Sequence, residues 1–163
     1  MIKLIDILED INEAKQVGDI YHFTGVLDKN GNRYLMKILN SGYLKPNEDN
    51  QISTTRNKKV DVYSFIGHTP DYMARLTLDG NKISNNYKIK PFYFANQGDP
   101  AYLAKDEFEE QIITNGKNFP IYPYLKKVDL FVKDKEEEEV NKVIDFLDEK
   151  NINYEIHIGE YRP

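Results

Sequence analysis

A strict two-residue alternation between residues 72 and 79 constrains this chain more than any other feature. Tyr72, Ala74, Leu76 and Leu78 fall on one side, and Met73, Arg75, Thr77 and Asp79 on the other. A period of two turns successive side chains to opposite faces, so the segment reads as a half-buried β-strand ended by an Asp79-Gly80 turn. Further strands are expected over Asp19 to Thr24, Gln51 to Arg56, Gln111 to Thr114, Lys126 to Val132 and Asn151 to Ile158. Tyr87 to Phe94 reads as a Pro-interrupted extended segment.

Three stretches carry the helical period instead. Leu4, Ile5, Leu8 and Ile11 predict an amphipathic helix over residues 2 to 15, ended near Gly18. Tyr34, Leu35, Ile38 and Leu39 predict a second, closed by Ser41-Gly42. Val140, Val143, Ile144 and Leu147 form the apolar stripe of a third over Glu136 to Glu149. Its opening run of acids sits where the helix dipole favours negative charge. Residues 57 to 71 read as a long loop, a type that is often functional in compact domains. Strands in the middle and helices at the flanks give an α+β chain. The expectation is one domain over 1–163, with an N-terminal helix in 1–17 and a C-terminal strand-helix-strand in 126–163.

Composition excludes several functions. The chain has no Cys, which removes disulfides, thiolate metal sites and Cys nucleophiles. A net charge of −5 argues against a generic nucleic-acid surface, though not against a local anion pocket. No stretch approaches a membrane span, so no membrane partner is expected. The N-terminus lacks the pattern of a signal peptide, so the expected location is cytoplasmic. The three histidines are far apart in sequence, which offers little for a zinc site.

Three short constellations can carry chemistry. In Tyr21-His22-Phe23-Thr24, the imidazole and the Thr hydroxyl share a strand face and can together hold a ribose or a phosphate. In Ser53-Thr54-Thr55-Arg56, Ser53 and Thr55 share one face and Thr54 and Arg56 the other, and Arg offers phosphate a planar fork. In Asp106-Glu107-Phe108-Glu109-Glu110, acids crowd the entry to an apolar strand, where a carboxylate can stabilise a developing cation. Each also has a plain structural reading: a backbone-bonded His, a β-prone hydroxyl strand, a solvated acidic cap.

Their order is more informative than any one of them. Tyr21 to Thr24, Ile38 to Gly42, Ile52 to Asn57, Arg75 to Ser84 and Glu109-Glu110 follow one another over roughly residues 20 to 115. This arrangement resembles the ADP-ribosyltransferase superfamily, in particular its small phage and bacterial members. The resemblance implies a split antiparallel β-sheet with flanking helices, NAD as cofactor and a protein or nucleic-acid acceptor. It implies that Tyr21, His22, Thr24, Ser53, Thr55, Arg56 and Arg75 bind the cofactor. By the same resemblance Glu110, with Glu109 next in order, acts in catalysis together with Arg56 and His22. The motifs mix branches. Ser or Thr stands where the poly-ADP-ribosylating branch has a Tyr, and His22 where the arginine-modifying branch has an Arg, so the acceptor stays open. If phage-encoded, the protein would work in the host cytoplasm.

Other readings remain. A two-histidine phosphoesterase needs a second His-x-Ser/Thr, and neither His68-Thr69-Pro70 nor His157-Ile158-Gly159 supplies it. An RNA 2′-phosphotransferase shares the fold but needs more basic residues than Arg56 and Arg75. A non-catalytic nucleotide- or partner-binding module is the third.

Overall fold

The alternating segment becomes the strand Met73–Asp79, here β4, an inner strand of a seven-stranded sheet. The computed structural model describes residues 18–26, 34–58, 73–91, 109–132 and 138–159. The helix expected over 2–15, most of the 57–71 loop and the acids at 106 and 107 lie outside those residues. Flanked on both sides, β4 is buried at Met73, Ala74, Leu76, Thr77 and Leu78, on both faces rather than one. Sheets covered on both faces lose the polar-out pattern that the sequence suggested.

The other strands of this sheet are β1 (Asp19–Gly25), β3 (Gln51–Thr55), β5 (Lys88–Pro91), β6 (Glu109–Ile113), β8 (Leu125–Val132) and β9 (Tyr154–Ile158). Their order is β5-β6-β3-β1-β4-β8-β9. Every neighbouring pair is antiparallel except β8 and β9, which run parallel across the helix α3 (Glu138–Glu149). That crossover is the expected C-terminal strand-helix-strand. The helix turns Val140, Val143 and Leu147 into the core. The other helices are α1 (Tyr34–Ser41) and the short α2 (Gly80–Ser84). Two further strands, β2 (Tyr43–Leu44) and β7 (Phe119–Pro120), pair with each other.

Two local expectations are corrected. Asp79-Gly80 is no simple turn. Asp79 caps α2, its carboxylate accepting from the Lys82 amide at 3.1 Å. Asp favours such a cap because its oxygen satisfies an otherwise orphaned amide. Glu109 and Glu110 do not precede their strand but begin it, in register with Thr55 and Thr54 of β3.

One seam stands out in the sheet. β1 pairs with β4 along seven residues, from Asp19 to Gly25. With β3 it shares one registered pair, Tyr21 with Thr55. Beyond that pair the strands part, and the sheet is split between a β5-β6-β3 half and a β1-β4-β8-β9 half. This mostly antiparallel split sheet matches the α+β expectation.

Candidate active site

The split sets which side chains meet. Tyr21 and Thr55 are paired across it, so they share a face, and their neighbours His22 and Thr54 belong to the opposite one. Thr54 is in turn paired with Glu110 on β6. His22, Thr54 and Glu110 therefore form one row across three adjacent strands. Two strand spacings make that row about 10 Å long.

Each member of the row is held. The Ser53 carbonyl lies 2.8 Å from His22 Nδ1 and can only accept, so Nδ1 carries the proton. Burial lowers the His22 pKa, and the bond to Ser53 opposes this. The ring is thus neutral near pH 7, and Nε2 keeps a lone pair that can accept from a ligand hydroxyl. Thr54 Oγ1 donates to the Glu110 backbone carbonyl at 2.8 Å, locking β3 to β6 beneath the carboxylate.

Glu110 has the least ordinary environment. It is 4% exposed. Arg56 Nε donates to Oε1 at 2.6 Å. Oε2 is buried and has no partner among the described residues. An unmatched buried carboxylate oxygen costs about 1–3 kcal/mol or more. Arg56 is about one-third exposed, so the pair opens toward solvent on the guanidinium side. The arrangement offers a hydrogen-bond acceptor at His22, a fixed anion at Glu110 and a cation at Arg56.

The remaining residues singled out from sequence are placed as follows. Thr24 follows His22 on the same face, half-buried, with its hydroxyl 3.4 Å from the Gly25 carbonyl. Ser53 and Thr55 lie on Tyr21's side of the sheet. Ser53 meets His22 through its carbonyl, and buried Thr55 accepts from the Asn57 amide at 3.0 Å. Neither hydroxyl joins the row, because the pleat turns alternate residues away. Position 109 falls on Thr55's side for the same reason.

Arg75 and Tyr21 also occupy that other face. Arg75 bonds Asp129 Oδ2 through Nε at 3.1 Å and through Nη2 at 3.0 Å, and donates to the Lys58 carbonyl. Its guanidinium lies over Tyr21 at 5.5 Å and Phe131 at 5.3 Å. The Arg75 guanidinium, expected from the sequence to contact the cofactor, is bonded to Asp129 and anchors the sheet. Its partner Asp129 is 1% exposed. Burial raises its pKa, but bonds from Lys127 and His157 and the charge of Arg75 more than reverse this and lower it. Asp129, Glu155 and His157 bring ligand-type atoms within 4.8 Å of one another. Lys127, 2.8 Å from Asp129 and bonded also to Glu155, already supplies a cation there.

Sequence reasoning missed Thr54 and Asp129. Alternation already paired Thr54 with Arg56, which was the available signal. Nothing local marked Asp129.

Three solved structures share this arrangement of strands. Thermus sp. 2.9 DarT in complex with NAD+ superposes with a TM-score of 0.52 at 13% identity, over 88% of this chain and 97% of that one. The complex with ADP-ribosylated ssDNA gives 0.54 at 11% identity, over 90% and 98%. The complex with carba-NAD+ gives 0.50 at 13%, over 87% and 95%. The chain has an ADP-ribosyltransferase fold. No family model matches it, and no curated protein matches it in sequence. Among the described residues, no helix is long and apolar enough to cross a membrane.

Proposed function

We propose that this protein is an NAD-dependent ADP-ribosyltransferase acting at the split between β1 and β3. The observation that carries the reading is Glu110: a buried carboxylate with one oxygen on Arg56, the other without a partner among the described residues, in a row with a neutral His22. Such a carboxylate is costly to the fold and useful beside a developing positive charge.

In this reading NAD is the donor substrate. His22 Nε2 accepts from a ribose hydroxyl, with Thr24 beside it. Arg56 orients Glu110 and faces donor phosphate. The glycosidic C–N bond breaks, the electron pair leaves with neutral nicotinamide, and the ribosyl cation forms beside the Glu110 carboxylate. An acceptor nucleophile bonds to that carbon and its proton passes to Glu110, then to water. Arg75, Ser53 and Thr55 act through the scaffold. Glu109 remains a second candidate for the acceptor side.

The acceptor class is a nucleic acid or a protein. Single-stranded DNA is tested first, because one structural neighbour is in complex with ADP-ribosylated ssDNA. A chain of net charge −5 would have to take it in a local groove. The test is incubation with labelled NAD and single-stranded DNA, RNA or protein acceptors, for wild type, E110Q and E109Q. Labelling and nicotinamide release by wild type, lost in E110Q, are expected. No NAD turnover with any acceptor overturns the reading.

A further inference from the structure

At the far end of β6 from Glu110 lies a cleft of about 580 Å³. That is within the range of sites for small organic ligands. Ile113, which lines it, is three strand residues beyond Glu110, about 10 Å along the strand. Tyr87 and Tyr124 supply aromatic wall, Asn86, Thr114 and Asn115 supply amide and hydroxyl groups, and Lys88 and Lys117 supply positive charge. No acidic side chain is among the described residues that line it.

The walls are rigid. Tyr87 is gripped edge-on by Phe119 (5.1 Å, 66°) and Tyr124 (6.1 Å, 82°). Edge-to-face contacts of this kind fix a ring's orientation. Tyr124 is 8% exposed, and its hydroxyl accepts from Asn86 Nδ2 at 3.2 Å. Its own O–H proton has no acceptor among the described residues. Opposite, Asn115 and Gly116 both take positive φ (53° and 80°), and the Lys117 amide donates back to the Thr114 carbonyl at 3.1 Å. That is the tight turn for which Asn-Gly is suited, and it holds the root of Lys117 at the rim.

Planar aromatic wall, amides and two ammonium groups match a heterocyclic base joined to a phosphate. Bases stack on aromatic rings without sequence preference, and Lys serves phosphate as a point charge. We propose that this cleft binds a nucleotide unit, its ring against Tyr87 and its phosphate between Lys88 and Lys117. The chemistry is the same for a free mononucleotide and for one unit of a single strand. The inference does not depend on catalysis at the β1–β3 split.

The test uses the full chain, isotope-labelled, titrated with dTMP, hexathymidylate and inorganic phosphate while backbone amide shifts are followed. dTMP should move the amides of Asn86 to Lys88 and Thr114 to Lys117 and leave those of His22, Thr54 and Arg56 in place. K88A/K117A, an exchange of two exposed side chains, should weaken dTMP at least tenfold. E110Q should bind it as wild type does. Hexathymidylate binding tighter than dTMP assigns the site to a strand unit, and equal binding to a free nucleotide; both support the proposal. Absence of shifts with dTMP, undiminished binding by K88A/K117A, or inorganic phosphate binding as tightly as dTMP each overturns it. NAD turnover is read separately, so failure of either reading leaves the other standing.

Discussion

Replacing Glu110 by Gln separates a functional from a structural carboxylate, because the two roles predict opposite outcomes for stability. The substitution keeps the shape and removes the charge. Two energies oppose each other. Losing the charge-assisted bond from Arg56 forfeits about 1.5–3 kcal/mol, at the low end here because Arg56 is about one-third exposed and its guanidinium can turn to water. Against this, a buried ionised group with an unpartnered Oε2 is relieved of a desolvation cost of about 1–3 kcal/mol. The sum lies within about 1.5 kcal/mol of zero, and so within about 3–6 °C in Tm for a chain of this size. Activity should behave differently. Removing one preorganised electrostatic partner of a transition state costs about 10²–10³ in kcat. The assays are thermal unfolding and nicotinamide release on the same E110Q sample. Near-native Tm with activity lost is the expected result. A fall of more than about 8 °C, or activity kept within threefold, would refute the reasoning.

Three further outcomes follow from the same geometry. R75M leaves Asp129, 1% exposed, without one of its cations and should cost up to about 3 kcal/mol, seen as a Tm lower by up to about 6–12 °C; a change under 2 °C would show that Lys127 and His157 suffice. Burial holds the His22 pKa below its unfolded value of 6.5, so the unfolded chain binds the extra proton first. Stability should fall as pH drops below 6.5 toward the folded pKa, and H22Q should flatten that part of a urea-unfolding series run from pH 8 to 5; an unchanged slope would put the burden on other groups. A Cβ at Gly80 would lie 2.4 Å from the Gly18 carbonyl oxygen, which already accepts from the Gly80 amide, so G80A should lose about 1–3 kcal/mol or more in denaturant unfolding, and a wild-type midpoint would mean that the Gly18 turn moves freely.

Much of the fold was legible because its signals are local. The period of two at residues 73–79 and the helical stripe of Val140, Val143 and Leu147 need only neighbouring residues to be read, and the structure has both elements. The same periodicity failed at Asp79-Gly80, where a cap and a turn use the same residues. It also set the start of β6 too late, since Glu109 and Glu110 are poor strand formers that join the sheet because β3 lies alongside. The Arg75 ion pair was not legible for a related reason: its partner Asp129 is 54 residues away, and a guanidinium suited to phosphate suits a buried carboxylate equally well.

By itself the sequence determined which side chains could act together. Alternation alone puts Thr54 with Arg56, His22 with Thr24, and Glu109 opposite Glu110, since the pleat is a property of each strand. Tertiary structure alone decided which of those faces come together at the seam. Only the strand order β6-β3-β1 and the registers Thr54 with Glu110 and Tyr21 with Thr55 bring His22 and Glu110 into one row. The loss of β1–β3 pairing beyond Tyr21 falls at that row. Register and splay are set by contacts between residues tens of positions apart, and no local pattern in the chain encodes them.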